Sequence, residues 1–197
     1  MDANHIELPT IPGSGRDGAG FDQVRYLDMI GGMAGAMDLI SPAVANHHAR
    51  VGYFAARLGA VLGLSDTDRH DLVLAGLMHD AGALSLKTRL DALAFDSDEH
   101  THADIGYRLV RTCPGLLRAA ELIRYHHTPY RELQRVPGAS ALSNLLCLAD
   151  RIDVLIDRDR PVPLQSKNVV DRIRSSASLF RPEYLEAFLD SALEGDL

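Results

Sequence analysis

The chain has 197 residues, of which 46% are hydrophobic and 24% are charged, and its formal net charge is −7. This length suits one domain with a substantial core, and the composition is that of a globular protein rather than a disordered or fibrous one. The acidic balance argues against a polymeric nucleic-acid ligand, because a phosphate backbone needs a basic surface. A small anionic ligand is compatible with it, since bound metal ions can supply local positive charge.

The sequence gives no sign of a membrane segment or a secretory signal. No apolar run of about 18 residues is present, so we expect no contact with a membrane. The N-terminus, Met1-Asp2-Ala3-Asn4-His5, lacks the basic and then apolar pattern of a signal peptide, which predicts a cytoplasmic protein. Cys113 and Cys147 are too few for a disulfide scaffold and are expected to be buried free thiols.

The N-terminal part of the chain changes character near Phe21. Residues 1–20 are rich in glycine and proline and bury little apolar surface, so they are predicted to form a flexible tail. Residues 21–197 are predicted to form a single helical domain. Apolar residues from Phe21 to Ile40 recur at helical spacing, which predicts a helix that covers one side of the core.

A second helix is predicted to begin at Ser41-Pro42 and to end near Leu62, before Gly63. On this helix His47 shares a face with the apolar residues, whereas His48 is rotated about 100° away from it. An inward histidine has an alternative interpretation as a hydrogen-bonded core residue. The surrounding sequence must therefore decide between that role and a ligand.

The third helix is predicted to start at Ser65, which with Asp68 resembles a capping box. This places His79 and Asp80 at the C-terminus of the helix. Gly82 follows and is expected to permit a turn.

Five further helices and one loop complete the prediction. A helix near Asp98 carries His102 inward and leaves His100 solvated, and the next, from Pro114, carries His126-His127. The remaining segments are a loop at Thr128–Gly138, a helix from Ser140 or Ser143 with Asp150 and Asp153 near one face, and helices near Leu164–Ser176 and Pro182–Leu193. The predicted fold class is all-α, with about seven helices.

Several polar side chains fall on inward faces or at the inner ends of separate helices. A helical bundle makes a metal site by directing such side chains to one point, and mixed imidazole and carboxylate ligands suit Fe, Mn or Zn. The candidate metal ligands are His47, His79, Asp80, His102, His126, His127 and Asp150.

The order of these residues resembles the HD superfamily of metal-dependent phosphohydrolases, and within it the HD-GYP branch. The resemblance extends from about Ser41 to Phe188. The matching segments are His47-His48-Ala49-Arg50-Val51, Leu77-Met78-His79-Asp80-Ala81-Gly82, His102-Ala103-Asp104-Ile105-Gly106, Arg124-Tyr125-His126-His127 and Leu148-Ala149-Asp150-Arg151-Ile152-Asp153.

The resemblance implies an HD-domain helical bundle that binds two divalent metal ions, Fe or Mn, and hydrolyses the cyclic dinucleotide cyclic di-GMP. Paired metals activate water and neutralise the charge of the phosphoryl oxygens. By resemblance, Asp80 bridges the ions, and His79 and Asp80 are the catalytic residues. The resemblance further assigns His47, His79 and Asp150 to one ion and His102, His126 and His127 to the other.

The chain departs from the family pattern at three places. No Gly-Tyr-Pro triplet follows His126-His127, Ala83 stands where the family often has a lysine, and Ala43 stands where three-metal members have a carboxylate. Three basic residues are alternative phosphate contacts, although a solvated surface charge is the favoured interpretation at each. They are Arg131, Arg151 and Lys87.

Three functions are consistent with these observations. The first is an active dinuclear phosphohydrolase whose ligand is cyclic di-GMP or another small phosphoester. The second is a catalytically degenerate regulatory or partner-binding module that retains metal. The third is a helical bundle with incidental histidines. A homodimer mate or a signalling partner would contact the tail and the segment Phe21–Ile40.

Overall fold

The computed structural model describes residues 26–39, 44–83 and 101–194. Within these ranges the regular structure is helical and contains no strand, which confirms the all-α fold class. The predicted tail at 1–20, the helix start at Ser41-Pro42, and the residues Ala43, Lys87 and His100 lie outside the described residues. The single-domain boundary at residue 21 stays a prediction.

Nine α-helices form in the described part of the chain, two more than the approximate number predicted. One helix that the sequence did not predict is α6, a four-residue helix inside the segment Thr128–Gly138 that was expected to be a loop. The helices are α1 Tyr26–Asp38, α2 His47–Val61, α3 Asp66–Met78, α4 Thr101–Val110, α5 Leu117–Arg124, α6 Tyr130–Leu133, α7 Leu142–Leu155, α8 Ser166–Ser175 and α9 Pro182–Glu194. Single 3-10 turns occur at Pro114–Leu116, Val162–Leu164 and Ala177–Leu179.

The helix ends agree with the sequence in part. The hydroxyl of Ser65 accepts a hydrogen bond of 3.1 Å from the backbone N–H of Asp68, so the predicted cap of α3 is present. Helix α2 ends before Gly63, whose φ of 67° is left-handed, as expected for a terminating glycine. Its start differs from the prediction, because α2 begins only at His47, after Asn46 adopts a left-handed conformation with φ 57°.

Helices α2 and α3 pack side by side at the centre, and α7 packs against both. The contact between α2 and α3 is close at Gly76, where an added Cβ would lie 2.5 Å from the Cα of Gly52. Glycine at position 76 therefore allows the two backbones to touch. The core between these helices consists of buried apolar residues that include Val51, Leu58, Leu72, Leu77, Leu145 and Leu148.

The remaining helices cover this centre. Helix α5 packs on α3 and α4, and α9 packs on α2 and α8. Cys147 is buried in α7 as expected, but Cys113 is exposed in the connection after α4, so the expectation of two buried thiols was wrong for Cys113. Among the described helices, none combines the length and the apolar character needed to cross a membrane.

Candidate metal centre

All seven predicted ligands lie together where α2, α3, α4 and α7 meet the turn after α5. His47 and Asp150 come from α2 and α7, and His79 and Asp80 directly follow α3. His102 is the second residue of α4. The final pair, His126-His127, was predicted to lie on a helix, but α5 ends at Arg124 and the pair occupies the following turn.

The first group of side chains consists of His47, His79 and Asp150. The Nε2 atom of His47 lies 3.2 Å from Nε2 of His79 and 3.5 Å from Oδ1 of Asp150. The same Asp150 oxygen is 3.7 Å from Nε2 of His79. Three ligand atoms from three segments therefore converge on one point, and all three residues are at most 2% exposed.

The second group consists of His102, His126 and His127. Nε2 of His127 lies 2.9 Å from Nε2 of His102, and each of the three imidazoles offers a nitrogen within 4.8 Å of the others. His102 and His126 are buried, whereas His127 is half-buried. This arrangement could hold one metal ion through three imidazole nitrogens.

Asp80 lies between the two groups. Its Oδ2 atom is 3.7 Å from Nε2 of His79, and its Oδ1 atom is 3.3 Å from Nε2 of His102. Burial favours the protonated form of this carboxyl group, but the imidazoles of His79, His102 and His47 lower the pKa of Asp80 well below its usual range. Asp80 is therefore an ionised carboxylate with one oxygen directed to each group.

Three of the histidines have the tautomer that metal binding requires. Nδ1 of His47 lies 2.7 Å from Oδ2 of Asp153, Nδ1 of His79 lies 2.8 Å from the carbonyl of Gly76, and Nδ1 of His126 lies 2.6 Å from the carbonyl of Ile123. Because these oxygens only accept hydrogen bonds, each Nδ1 carries the proton. In the neutral ring the lone pair is then on Nε2, which faces the centre.

Nε2 of His126 provides an independent test of whether a metal fits. This nitrogen is buried and has no hydrogen-bond partner in the part of the chain that the structure describes. A buried lone pair without a partner is unfavourable by about 1–3 kcal/mol. Burial, together with His79 and His102, also lowers the pKa of His126 well below its usual range, so the ring is neutral. A divalent cation would satisfy this nitrogen, and the donor set fits such an ion.

Asp153 supports the first group from outside and was not among the predicted ligands. Its carboxylate is 1% exposed and accepts hydrogen bonds from His47 and from the guanidinium of Arg50, while Arg158 lies 3.8 Å away. Burial favours protonation, but the hydrogen bonds from His47 and Arg50 lower the pKa of Asp153. The spacing from Asp150 to Asp153, which puts both on one face of α7, was the signal for this role.

Arg151 does not have the surface position that was favoured for it. It is only 4% exposed, and its Nη2 atom lies 3.2 Å from Nδ1 of His127. Burial, His126 and Arg151 together lower the pKa of His127 well below its usual range. Arg131 is exposed, as expected for a surface charge.

His48 is also buried, although its rotation on α2 had excluded it from the inward face. Its Nδ1 atom lies 2.5 Å from Oδ1 of Asp38, the last residue of α1, and its ring is 0% exposed. The sequence missed this residue because α1 covers the side of α2 on which it lies. The adjacent pair His47-His48 was the only signal for it.

Gly82 permits close contact between the segment after α3 and helix α4. An added Cβ would overlap the carbonyl oxygen of His102 and the N atom of Gly106. Gly82 does lie in a turn, as predicted, but its φ is not left-handed. Glycine is required here because the His79-Asp80 segment touches the backbone that carries His102.

Comparison with known proteins agrees with this architecture. The chain is 31% identical over 128 residues to the 3'3'-cGAMP-specific phosphodiesterase 1 of Vibrio cholerae, a match that covers 62% of the chain and 30% of that protein. It is 28% identical over 162 residues to the cyclic di-GMP phosphodiesterase of Thermotoga maritima, covering 73% of the chain and 43% of that protein. The chain thus spans less than half the length of either relative.

A family-level match covers the centre itself. Residues 44–155, more than half of the chain, match the HD domain, a family that binds divalent metals and includes metal-dependent phosphohydrolases. This range contains all seven proposed ligands, from His47 to Asp150. The chain therefore belongs to the HD domain family.

Proposed function

We propose that this chain is a phosphodiesterase of the HD-GYP type that hydrolyses a cyclic dinucleotide at a centre of two divalent metal ions. The observation that carries the proposal is the position of Asp80, whose two carboxylate oxygens face two separate groups of histidines. The names of the two relatives, which act on cyclic di-GMP and 3'3'-cGAMP, support this class of substrate.

Each group of ligands would hold one ion. His47, His79 and Asp150 would bind the first, His102, His126 and His127 would bind the second, and Asp80 would contact both. Fe and Mn suit this mixed donor set. When bound, such a pair lowers the pKa of the attacking water and neutralises the charge that develops on the phosphoryl oxygens.

The chain's own residues prepare the site for this chemistry. Asp153, Gly76 and Ile123 fix the proton of three ligand imidazoles on Nδ1, so that no reorganisation is needed before metal binds. The guanidinium of Arg151 adds a permanent positive charge beside His127. We propose that this charge attracts the anionic phosphodiester substrate.

The decisive experiment is the hydrolysis of cyclic di-GMP and of 3'3'-cGAMP by protein reconstituted anaerobically with Fe(II) or Mn(II), with products separated by chromatography. Asp80→Asn preserves the size of the side chain and removes its charge, so we expect loss of turnover with unchanged helix content by circular dichroism. Asp66→Asn is the matched control, because this exposed residue at the start of α3 pairs with Arg69 at the surface. Substantial turnover by Asp80→Asn would contradict the role of Asp80.

A regulatory module that retains metal is the second candidate, and Arg151 favours it. A cation 3.2 Å from Nδ1 of His127 opposes metal binding at that ring, and the Gly-Tyr-Pro triplet and the lysine of the family are absent from the sequence. Metal analysis combined with the turnover assay separates the two candidates. Protein that contains two ions per chain and hydrolyses neither dinucleotide would favour the module.

A further inference from the structure

We infer that Asp38 and His48 form a positioning pair through which helix α1 holds the imidazoles of the first ligand group in place. This inference rests on the proposed metal centre and adds a residue pair that lies outside its seven ligands. The two residues come from different helices, α1 and α2, and both are buried, with exposures of 6% and 0%.

The chemistry of the pair fixes the orientation of His48. Oδ1 of Asp38 lies 2.5 Å from Nδ1 of His48. In this pair the Nδ1–H group of His48 donates a hydrogen bond, and the carboxyl oxygen of Asp38 accepts it. Because both groups are buried, breaking this bond leaves a desolvated carboxylate, which opposes any rotation of the ring.

The ring of His48 lies directly against two proposed ligands. Its centroid is 5.2 Å from that of His79 and 5.5 Å from that of His47, and the two ligand rings are themselves 5.0 Å apart. The three imidazoles therefore pack as a triangle. Since protein interiors are close-packed, the ring of His48 limits the tilt of the other two.

The geometry gives α1 a direct connection to the centre. No proposed ligand belongs to α1, and yet its last residue holds the ring of His48, which packs on both His47 and His79. Two methionines on its outer side, Met29 and Met33, are half exposed. A shift of α1 should thus reach both ligands through the hydrogen bond from His48 to Asp38 and the contacts of the His48 ring with His47 and His79.

Three substitutions distinguish the contribution of the hydrogen bond from that of the His48 ring. His48→Asn retains an N–H that can reach Asp38 but removes the ring that packs on His79. Asp38→Ala removes the acceptor, and Asp38→Asn keeps an acceptor oxygen in the same shape. We expect about 10-fold weaker metal binding for His48→Asn and for Asp38→Ala, which is the lower end of the range seen when residues that support metal ligands are replaced. In Asp38→Asn we expect the metal affinity of the parent.

Metal affinity is measured by competition between the protein and a chelator for Mn(II), and the ligand geometry is read from the visible absorption of Co(II)-substituted protein. Asn144→Ala is the matched control. Asn144 is also buried. Its side chain donates a hydrogen bond of 2.9 Å to the carbonyl of Leu179 and accepts one of 2.8 Å from the backbone N–H of Arg181. Its loss should lower the unfolding temperature and leave both the Mn(II) affinity and the Co(II) spectrum unchanged.

The results distinguish positioning from stability and from the proposed function. Parent-like Mn(II) affinity and Co(II) spectra in folded His48→Asn and Asp38→Ala would overturn the inference, as would an equal loss in Asp38→Asn and Asp38→Ala. Neither readout requires turnover. If the parent protein hydrolyses neither dinucleotide, the proposed activity is refuted. If His48→Asn nevertheless binds metal more weakly than the parent, the positioning pair still stands.

Discussion

The contact between α2 and α3 at Gly76 gives a prediction that combines stability with metal binding. Gly76 lies three residues before His79, and Gly52 lies five residues after His47 on the facing helix. Gly76→Ala would place a Cβ 2.5 Å from the Cα of Gly52 and 2.6 Å from its N atom. Both neighbours are backbone atoms, so no side-chain rotation can relieve the overlap.

The size of the effect follows from these distances. Non-bonded carbon atoms prefer a separation of about 3.5–4.0 Å, so the helices must move apart by about 1 Å or more. Such overpacking is unfavourable by about 1–3 kcal/mol. The better helix propensity of alanine offsets at most about 1 kcal/mol of this. The same displacement would widen the 3.2 Å separation between His47 and His79, so we expect weaker metal binding as well.

The assay is urea unfolding together with Mn(II) affinity, with Gly35→Ala as the matched control. Gly35 lies inside α1, and an added Cβ there would meet nothing within 4 Å, so alanine should stabilise the protein by about 0.5–1 kcal/mol. The two Gly→Ala substitutions should therefore have opposite signs. Equal stabilisation by both, with unchanged Mn(II) affinity in Gly76→Ala, would refute the close contact of α2 and α3.

Three further predictions concern other parts of the chain. Asp153→Ala should destabilise the protein by about 1–3 kcal/mol, because the buried imidazole of His47 loses its hydrogen-bond acceptor and the part-buried guanidinium of Arg50 loses its carboxylate partner, and urea unfolding measures this. The pKa of Asp153 in the folded protein is below its unfolded value of about 3.9, so the contribution of Asp153 to stability is present above that pH and is lost as the pH falls. If Asp153→Ala unfolds in acid with the same pH dependence as the parent, this reasoning is contradicted. Burial raises the pKa of Cys147 to about 11, so a thiol reagent at pH 8 should modify one cysteine, Cys113, in folded protein and both in denaturant. Ser65→Ala should reduce the free energy of unfolding by about 1 kcal/mol through loss of the cap, without a change in Mn(II) affinity.

The sequence predicted the parts of the centre that depend on helical periodicity. His47, His102 and Asp150 lie on the inward faces of their helices because apolar residues at helical spacing mark those faces. His79 follows the end of α3, whose start was marked by the cap at Ser65. Local pattern was sufficient in these cases, since each face is buried by the same core.

The sequence could not predict features that depend on which helices become neighbours. His48 is buried because α1 covers its side of α2, and no local pattern indicates that packing. Arg151 was expected at the surface because a long cationic side chain is usually solvated, but the position of His127 in a turn brings the ring beside it. The role of Gly82 likewise depends on contact with α4, which is distant in sequence.

The hydrogen bond between His47 and Asp153 joins residues that are 106 positions apart in the chain. Closing a contact of this sequence separation costs chain entropy, because the intervening residues lose conformational freedom, and such contacts slow folding. The first ligand group is complete only when α7, which carries Asp150, has docked on α2, so the first ion meets its full ligand set only after this step. An ion bound by the first group should therefore slow unfolding and leave the folding rate unchanged, which lengthens the lifetime of the folded chain.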